Sequence, residues 1–254
     1  MHQASIDSRA GATFAAAVSG IPIVLFHRQA LVVGSFGSGA DLASLPAAEV
    51  ESTCDLIEIR LDLLSSKERE QRAWKRFEKT PLLFTARRRS EGGGGDLSAS
   101  DRMNLIRSVL DDASLIDLEV ASAGEMSELI DELSERGLPW VGSYHDFQAT
   151  PMLSSLHAAR ENARNSGAAA FKAAFELGWN LDDVPALGQF ITGSDFPTSL
   201  MGMGPFAPAS RLLFAQLGSV LNYGYLGNTP TAPGQWSAAQ LSTAIRSVRH
   251  LNAG

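Results

Sequence analysis

The feature that most constrains the fold is a rhythm in the hydrophobic pattern. Short apolar runs begin near Ala30 (ALVVGSF), Asp55 (DLIEIRLD), Pro81 (PLLFTAR), Ser114 (SLIDLEV), Pro139 (PWVGSYHD), Ala169 (AAFKAAF), Pro197 (PTSLMGM) and Val220 (VLNYGYL). They recur at roughly 27-residue intervals, and a segment of helical character follows each one. Ser65-x-x-Glu68 and Ser237-x-x-Gln240 read as capping boxes, and the second leads into Leu241, Ile245, Val248 and Leu251 at helical spacing. Met126, Leu129, Ile130 and Leu133 make an apolar stripe, and Thr150-Pro151 reads as an N-cap with proline at the first helical position. Eight strand–helix units in 254 residues match the arithmetic of an α/β fold of one kind, the single-domain (β/α)8 or TIM barrel. The barrel is expected over 30–254. Residues 1–29 are expected to form an N-terminal extension, with a hairpin closing the barrel bottom as its anticipated form.

An open doubly wound sheet is the main rival, and it usually carries a glycine-rich phosphate turn after its first strand. Here Gly34-Ser35-Phe36-Gly37-Ser38-Gly39 has no G-x-G-x-x-G, and Gly92–Gly95 lacks the Lys-Ser/Thr of a P-loop. The second glycine run is expected to be a flexible loop. The uncharged stretch from Ala10 to Phe26 contains glycine, proline, Thr13 and Ser19. It falls short of the roughly 20 apolar residues that a membrane span needs, so neither a span nor a cleaved signal is expected.

Charge and cysteine content narrow the function classes. A formal charge of −7 argues against nucleic-acid or anionic-membrane binding driven by bulk charge. The single cysteine, Cys54, excludes an internal disulfide framework and a cysteine zinc cluster, and it fits a cytoplasmic setting. No H-x-x-x-H or H-E-x-x-H pair occurs, so no metal site is expected. Lysine is scarce: Lys67, Lys75 and Lys79 fall in one charged segment, read as a helix, and Lys172 stands apart.

Polar residues inside barrel strands carry the chemical information, because parallel strands are covered on both faces and reactive groups sit at their carboxyl ends. In Leu56–Asp62 the alternation sets Ile57, Ile59 and Leu61 against Glu58, Arg60 and Asp62, which points the charged face into the barrel. Lys172 shares its face with Ala170 and Ala174, so small neighbours leave space around the amine. Snorkelling to solvent is the bland reading, and a Schiff-base lysine is the sharp one. At the ordinary pKa only about one amine in 2500 is neutral at pH 7, so burial matters to such a nucleophile. His145 closes the strand immediately before the lysine strand, whereas His2, His27, His157 and His250 fall at termini or on expected surfaces. Of Arg87, Arg88 and Arg89, the first is the best placed to face a site, with Glu91 nearby. Arg211 opens an otherwise apolar helix, where it serves either a carboxylate clamp or helix solubility.

In this order the motifs resemble type I 3-dehydroquinate dehydratases, the Schiff-base dehydratases of the shikimate pathway, from about Ala30 to the C-terminus. The resemblance rests on Asp55-Leu-Ile-Glu58-Ile-Arg60-Leu-Asp62, on Pro81 through Glu91-Gly-Gly, and on His145-Asp146-Phe147 followed by Thr150-Pro151. Phe171-Lys172-Ala173, Met201-Gly-Met203 before Ser210-Arg211-Leu212, and Ala232-Pro233-Gly234-Gln235 complete it. Thr231 stands where the family commonly has serine. The resemblance implies conversion of 3-dehydroquinate to 3-dehydroshikimate by a homodimer, without metal or nucleotide cofactor. It implies an imine on Lys172, His145 as general base and then acid, and Glu91 orienting His145. Arg211 is expected to hold the substrate carboxylate, and Met203 to pack on the ring. Glu58, Arg60, Arg87, Thr231 and Gln235 are expected to read hydroxyls or support charges. Two other classes stay open: a class I aldolase-type barrel, whose phosphate turn would fall near Gly224–Gly227, and a non-catalytic ligand-sensing barrel.

Overall fold

The computed structural model describes residues 20–178, 182–228, 230–232 and 234–251, the last three of these by backbone alone. Among the described residues eight strands form one sheet: β1 (Leu31–Phe36), β2 (Leu56–Arg60), β3 (Leu82–Thr85), β4 (Leu115–Glu119), β5 (Trp140–Asp146), β6 (Ala170–Glu176), β7 (Thr198–Met203) and β8 (Leu221–Tyr225). Every ladder is parallel, and the spatial order is β7-β6-β5-β4-β3-β2-β1-β8. The first and last strands in that order meet at a seam. There Val220 N–H donates to the Thr198 carbonyl, while the hydroxyls of Ser199 and Ser219 accept from Leu221 N–H and Leu200 N–H. The (β/α)8 barrel expected from the rhythm is therefore the observed architecture.

The helices α1 (Gly39–Ser44), α2 (Ala47–Thr53), α3 (Ser66–Gln71), α4 (Ala99–Arg107), α5 (Ser127–Arg136), α6 (Leu153–Asn165), α7 (Val184–Thr192), α8 (Ala207–Leu217) and α9 (Ala238–Leu251) wrap the sheet. The Ser65/Glu68 capping box opens α3, and the Ser237 hydroxyl accepts from Gln240 N–H at the start of α9. The charged segment is not one helix: Lys67 lies on α3, Lys75 on the following 3-10 turn Ala73–Arg76, and Lys79 in the loop before β3. The reading of Thr150 as an N-cap is also corrected. Helix α6 starts at Leu153 after Met152, and the Thr150 hydroxyl instead donates to the Glu176 carbonyl at the end of β6. Arg211 sits within α8 rather than at its start, because the helix already begins at Ala207.

Strand alternation sorts the side chains into storeys. Ile57, Ile59, Phe84, Ile116, Leu118 and Phe171 face the helix layer and join the main core. The inward residues at the amino ends, including Val33, Leu56, Leu83, Leu115, Val141, Ala170 and Leu221, form a separate apolar floor. Two residues further along each of β1 to β6 the inward face turns polar, with buried Ser35, Glu58, Thr85, Asp117, Ser143 and Lys172. Ile23 and Leu25 pack against the floor from below. No strand occurs over 20–29, so these residues lie there as an irregular plug. The rest of the expected hairpin, 1–19, falls outside the described residues. Among the described residues no helix is long and apolar enough to cross a membrane.

Close approach of β8 to the last helix depends on Gly224. A Cβ there would lie 2.5 Å from Ala238 Cα and 2.7 Å from its nitrogen, both backbone atoms that cannot rotate away. Gly224→Ala is expected to destabilise the barrel by about 1–3 kcal/mol, as overpacking does, and to lower the melting temperature by several degrees. An unchanged melting curve would show that α9 moves aside freely.

Candidate active site

At the carboxyl end of the barrel the inward side chains surround a pocket with about 510 Å³ of empty space, its open mouth included. Its lining contains the residues proposed as catalytic, Lys172, His145 and Glu91, together with Glu58, Arg60, Arg87, Met203, Arg211, Thr231 and Gln235. Gly92, Phe147, Ala174, Met201, Tyr223 and Ala232 complete it. Segments far apart in sequence converge because each strand delivers its inward residues to the same end.

Lys172 is buried near the bottom of this pocket. Its Nζ donates to Asp117 Oδ2 at 2.6 Å and lies 4.3 Å from the centre of the Tyr223 ring. Burial lowers the amine's pKa, and the opposing pull of Asp117 does not fully restore it. Burial alone would raise the Asp117 carboxyl, but Arg87 and then Lys172 outweigh it and hold that group far below the ordinary carboxylate range. One Arg87 nitrogen approaches Asp117 at 2.9 Å and Glu119 at 3.2 Å, and it also donates to the Ser143 hydroxyl. Ser143 donates in turn to Asp117. The ions are thus paired, as buried charges must be.

His145 lies on β5, beside the lysine strand, with Ser143 opposite Lys172 and His145 opposite Ala174 in the register. Its backbone N–H donates to Glu91 Oε2 at 3.0 Å, and its Nδ1 lies 3.0 Å from the same oxygen. Burial, then the nearby positive Arg87 and Lys172, hold the imidazole well below its usual pKa, so it is neutral. With Nδ1–H directed to the carboxylate, Nε2 is left as a proton acceptor. Burial pushes the Glu91 carboxyl up to about 7, against the lowering pull of Arg87. Phe147 stacks on the imidazole with ring centroids 6.4 Å apart.

The expectation of a flexible glycine loop after β3 is corrected. Arg60 binds Asp62 with two nitrogens, at 2.9 and 2.7 Å, and donates to the Gly92 carbonyl, while Gly94 N–H donates to Asp62 Oδ2. A Cβ on Gly93 would fall 2.1 Å from the Arg87 carbonyl oxygen, and one on Gly94 would fall 2.7 Å from that of Asp62. Here the glycines permit close backbone packing. The turn that carries Glu91 is pinned to the Arg60–Asp62 pair.

The remaining lining residues offer distinct chemistry. Glu58 accepts from the hydroxyls of Ser35 and Thr85. Arg211 is buried and donates to the Tyr223 carbonyl at 2.9 Å, and its Nε has no partner among the described residues. Burial brings its guanidinium down to about 10. Gln235 Oε1 accepts from both the backbone and the hydroxyl of Thr231, which leaves its amide N–H groups to donate. Met201 and Met203 supply an apolar wall. Cys54 is buried away from the pocket, and burial pushes its thiol up to about 12. Among the described residues no group of three or more His, Cys, Asp or Glu is arranged to hold a metal ion.

Asp117, Glu119, Ser143 and Tyr223 were not singled out from the sequence. The run Leu115-Ile116-Asp117-Leu118-Glu119 alternates just as Leu56–Arg60 does, so the same argument applied to β4 would have pointed both acids inward. Burial places Tyr223 well above its usual pKa, with Glu58 and Asp117 adding to the effect. The phenol is therefore neutral.

A family model described as type I 3-dehydroquinase matches residues 38–252. The chain is similar to 3-dehydroquinate dehydratase from Methanothrix thermoacetophila, with 33% identity over 217 residues covering 85% of this chain and 90% of that protein. It is also similar to 3-dehydroquinate dehydratase from Methanocaldococcus jannaschii, at 29% over 186 residues, 71% of this chain and 81% of that one. In three dimensions it resembles the crystal structure of 3-dehydroquinate dehydratase from Geobacillus kaustophilus HTA426. That match has a TM-score of 0.77 at 24% identity and covers 91% of this chain and 96% of the other, which supports the shared barrel.

The raised Glu91 pKa makes a stability prediction whose sign is definite. A carboxyl raised from 4.5 to about 7 on folding favours the folded state fully below its unfolded pKa, and that benefit is lost as pH rises through about 7. Glu91→Gln, which keeps an acceptor oxygen without the charge, is expected to melt a few degrees above the wild type at pH 8. The gap should shrink toward pH 5 in thermal melts recorded across that range. A gap independent of pH would contradict the assignment.

Proposed function

The chain belongs to the type I 3-dehydroquinase family, and on that premise we propose that it dehydrates 3-dehydroquinate to 3-dehydroshikimate through an imine on Lys172. The observation that carries the reading is the pairing, in one pocket, of a buried amine with lowered pKa and a neutral imidazole. Lys172 Nζ adds to the substrate ketone, and loss of one water from the carbinolamine gives a positively charged iminium. Asp117, already ionised and 2.6 Å from Nζ, balances that charge. His145 Nε2 removes a proton from the carbon next to the iminium, and the electron pair moves onto nitrogen to give an enamine. The enamine then expels the hydroxyl one carbon further on, which takes the proton from His145 and leaves as water. A second water hydrolyses the remaining iminium, returning the lysine and releasing the product. The net change is loss of one water.

Glu91 holds the His145 tautomer that makes this sequence possible. Arg211, desolvated and with no carboxylate paired to it among the described residues, is suited to the substrate carboxylate. Glu58, Gln235 and Thr231 read the hydroxyls, and Met203 packs on the ring. Arg87 supports Asp117 by charge, and Arg60 fixes the turn bearing Glu91. The lysine nitrogen is the electron sink, so the reading needs no cofactor. In the same reading 30–254 is the catalytic domain and 1–29 its extension, and the enzyme works as a cytoplasmic homodimer.

The class I aldolase reading loses its phosphate turn. Gly224 is packed on the Ala238 backbone, and a Cβ on Gly227 would meet the Asp41 carboxyl at 2.3 Å, a negative group where a phosphate would need a donor. A ligand-sensing barrel is separated from an enzyme by turnover. Purified protein is expected to convert 3-dehydroquinate to a conjugated enone detected by ultraviolet absorbance. His145→Ala is expected to lose about 10²–10⁴-fold in kcat. No enone from the wild type would overturn the reading, and wild-type turnover in the histidine variant would remove the general-base assignment.

A further inference from the structure

The lysine belongs to a longer buried chain of alternating charges. From Lys172 it passes to Asp117 at 2.6 Å, from Asp117 to Arg87 at 2.9 Å and from Arg87 to Glu119 at 3.2 Å. Glu119 then meets Arg102 at 2.7 Å through its second oxygen, and Arg102 meets Glu125 at 2.6 Å. Asp117, Glu119, Arg87 and Arg102 are all essentially inaccessible, whereas the Glu125 side chain is 47% exposed. Arg102 also donates twice to the Ser122 hydroxyl. It occupies the inner face of α4 with Ile106 four residues later, both buried, and a capping box at Ser98 and Asp101 fixes where that helix starts. Arg102 does not line the catalytic pocket.

We propose that Arg102 is a positioning residue for the dehydration: it holds Glu119, and through Glu119 the Arg87–Asp117 pair, in the arrangement that presents the Lys172 amine to the substrate. The inference rests on the imine reading above. Glu119 divides its two oxygens between Arg102 and the Arg87 side chain, with Arg88 N–H as a further donor. Without the Arg102 charge, Glu119 draws Arg87 toward itself and away from Asp117. The Asp117 carboxylate is then left to Lys172, which favours the ammonium over the neutral amine that attacks the ketone. Because Arg102 stands outside the pocket lining, the loss falls on kcat and not on KM.

Arg102→Gln keeps a hydrogen-bond donor to Glu119 but removes the charge. It is expected to lower kcat roughly tenfold, the low end of what losing an outer partner costs at metal sites, with KM within about twofold of wild type. Arg102→Lys restores the charge and should recover most of that loss. Should Arg102→Gln not fold, Ser122→Ala removes the hydroxyl that accepts twice from the Arg102 guanidinium and so loosens its hold on Glu119. It should lower kcat about threefold, the scale of one lost hydrogen bond, with KM unchanged. Wild-type kcat in Arg102→Gln, an equal loss in Arg102→Lys, or a change confined to KM overturns the inference. If Arg102→Gln is unfolded, wild-type kcat in Ser122→Ala overturns it. Absence of turnover in the unmodified enzyme would instead defeat the dehydratase reading, and this inference with it.

Discussion

The structure depends on the contact between the Lys172 ammonium and the Asp117 carboxylate, which lies in the barrel interior just above an apolar floor. Removing a single such charge from water costs several kcal/mol, and each ion persists only because an opposite one is within bonding distance. Asp117 serves two cations at once, and Arg87 in turn serves two carboxylates. A lysine held in this way has its pKa lowered by burial without being driven out of the barrel. That condition suits a nucleophile that must attack as an amine and then carry a positive charge as an iminium.

The barrel supplies this environment by simple geometry. Strands β1 to β6 each offer an apolar inward residue near the amino end and a polar one two positions beyond it, so a dry floor and a charged storey follow from one alternation, while β7 closes the pocket with Met201 and Met203. The loop after β3 adds Glu91, and its glycines let the backbone settle on the Arg60–Asp62 pair closely enough to keep that carboxylate against His145. Burial then does opposite things to two partners. It raises Glu91 and lowers His145, leaving a neutral base with a fixed tautomer beside the amine.

Much of this was legible in the sequence. The strands declared themselves because β-forming apolar runs alternate with capped helical segments, and Glu58, Arg60 and Lys172 stood out as charges where a covered strand should be apolar. Other features were hidden for physical reasons. The partner of Lys172 is 55 positions away and becomes its neighbour only through the registers of β4, β5 and β6. Thr150 carried a genuine N-cap signal, but its hydroxyl is taken by a carbonyl on another strand. Composition made Gly92–Gly95 resemble a loose loop, since the ion pair that pins it comes from a different segment. The carboxylate role proposed for Arg211 came from a resemblance, as spacing alone did not separate a clamp from a solubilising residue.

In the proposed reaction the Lys172 nitrogen becomes covalently joined to the substrate. Borohydride reduction during turnover of 3-dehydroquinate, followed by intact-mass measurement and peptide mapping, tests it most directly. One reduced adduct per chain, confined to the peptide containing Lys172 and absent without substrate, is the predicted result. An active enzyme that yields no adduct, or an adduct on Lys67, Lys75 or Lys79 with Lys172 unmodified, would contradict it.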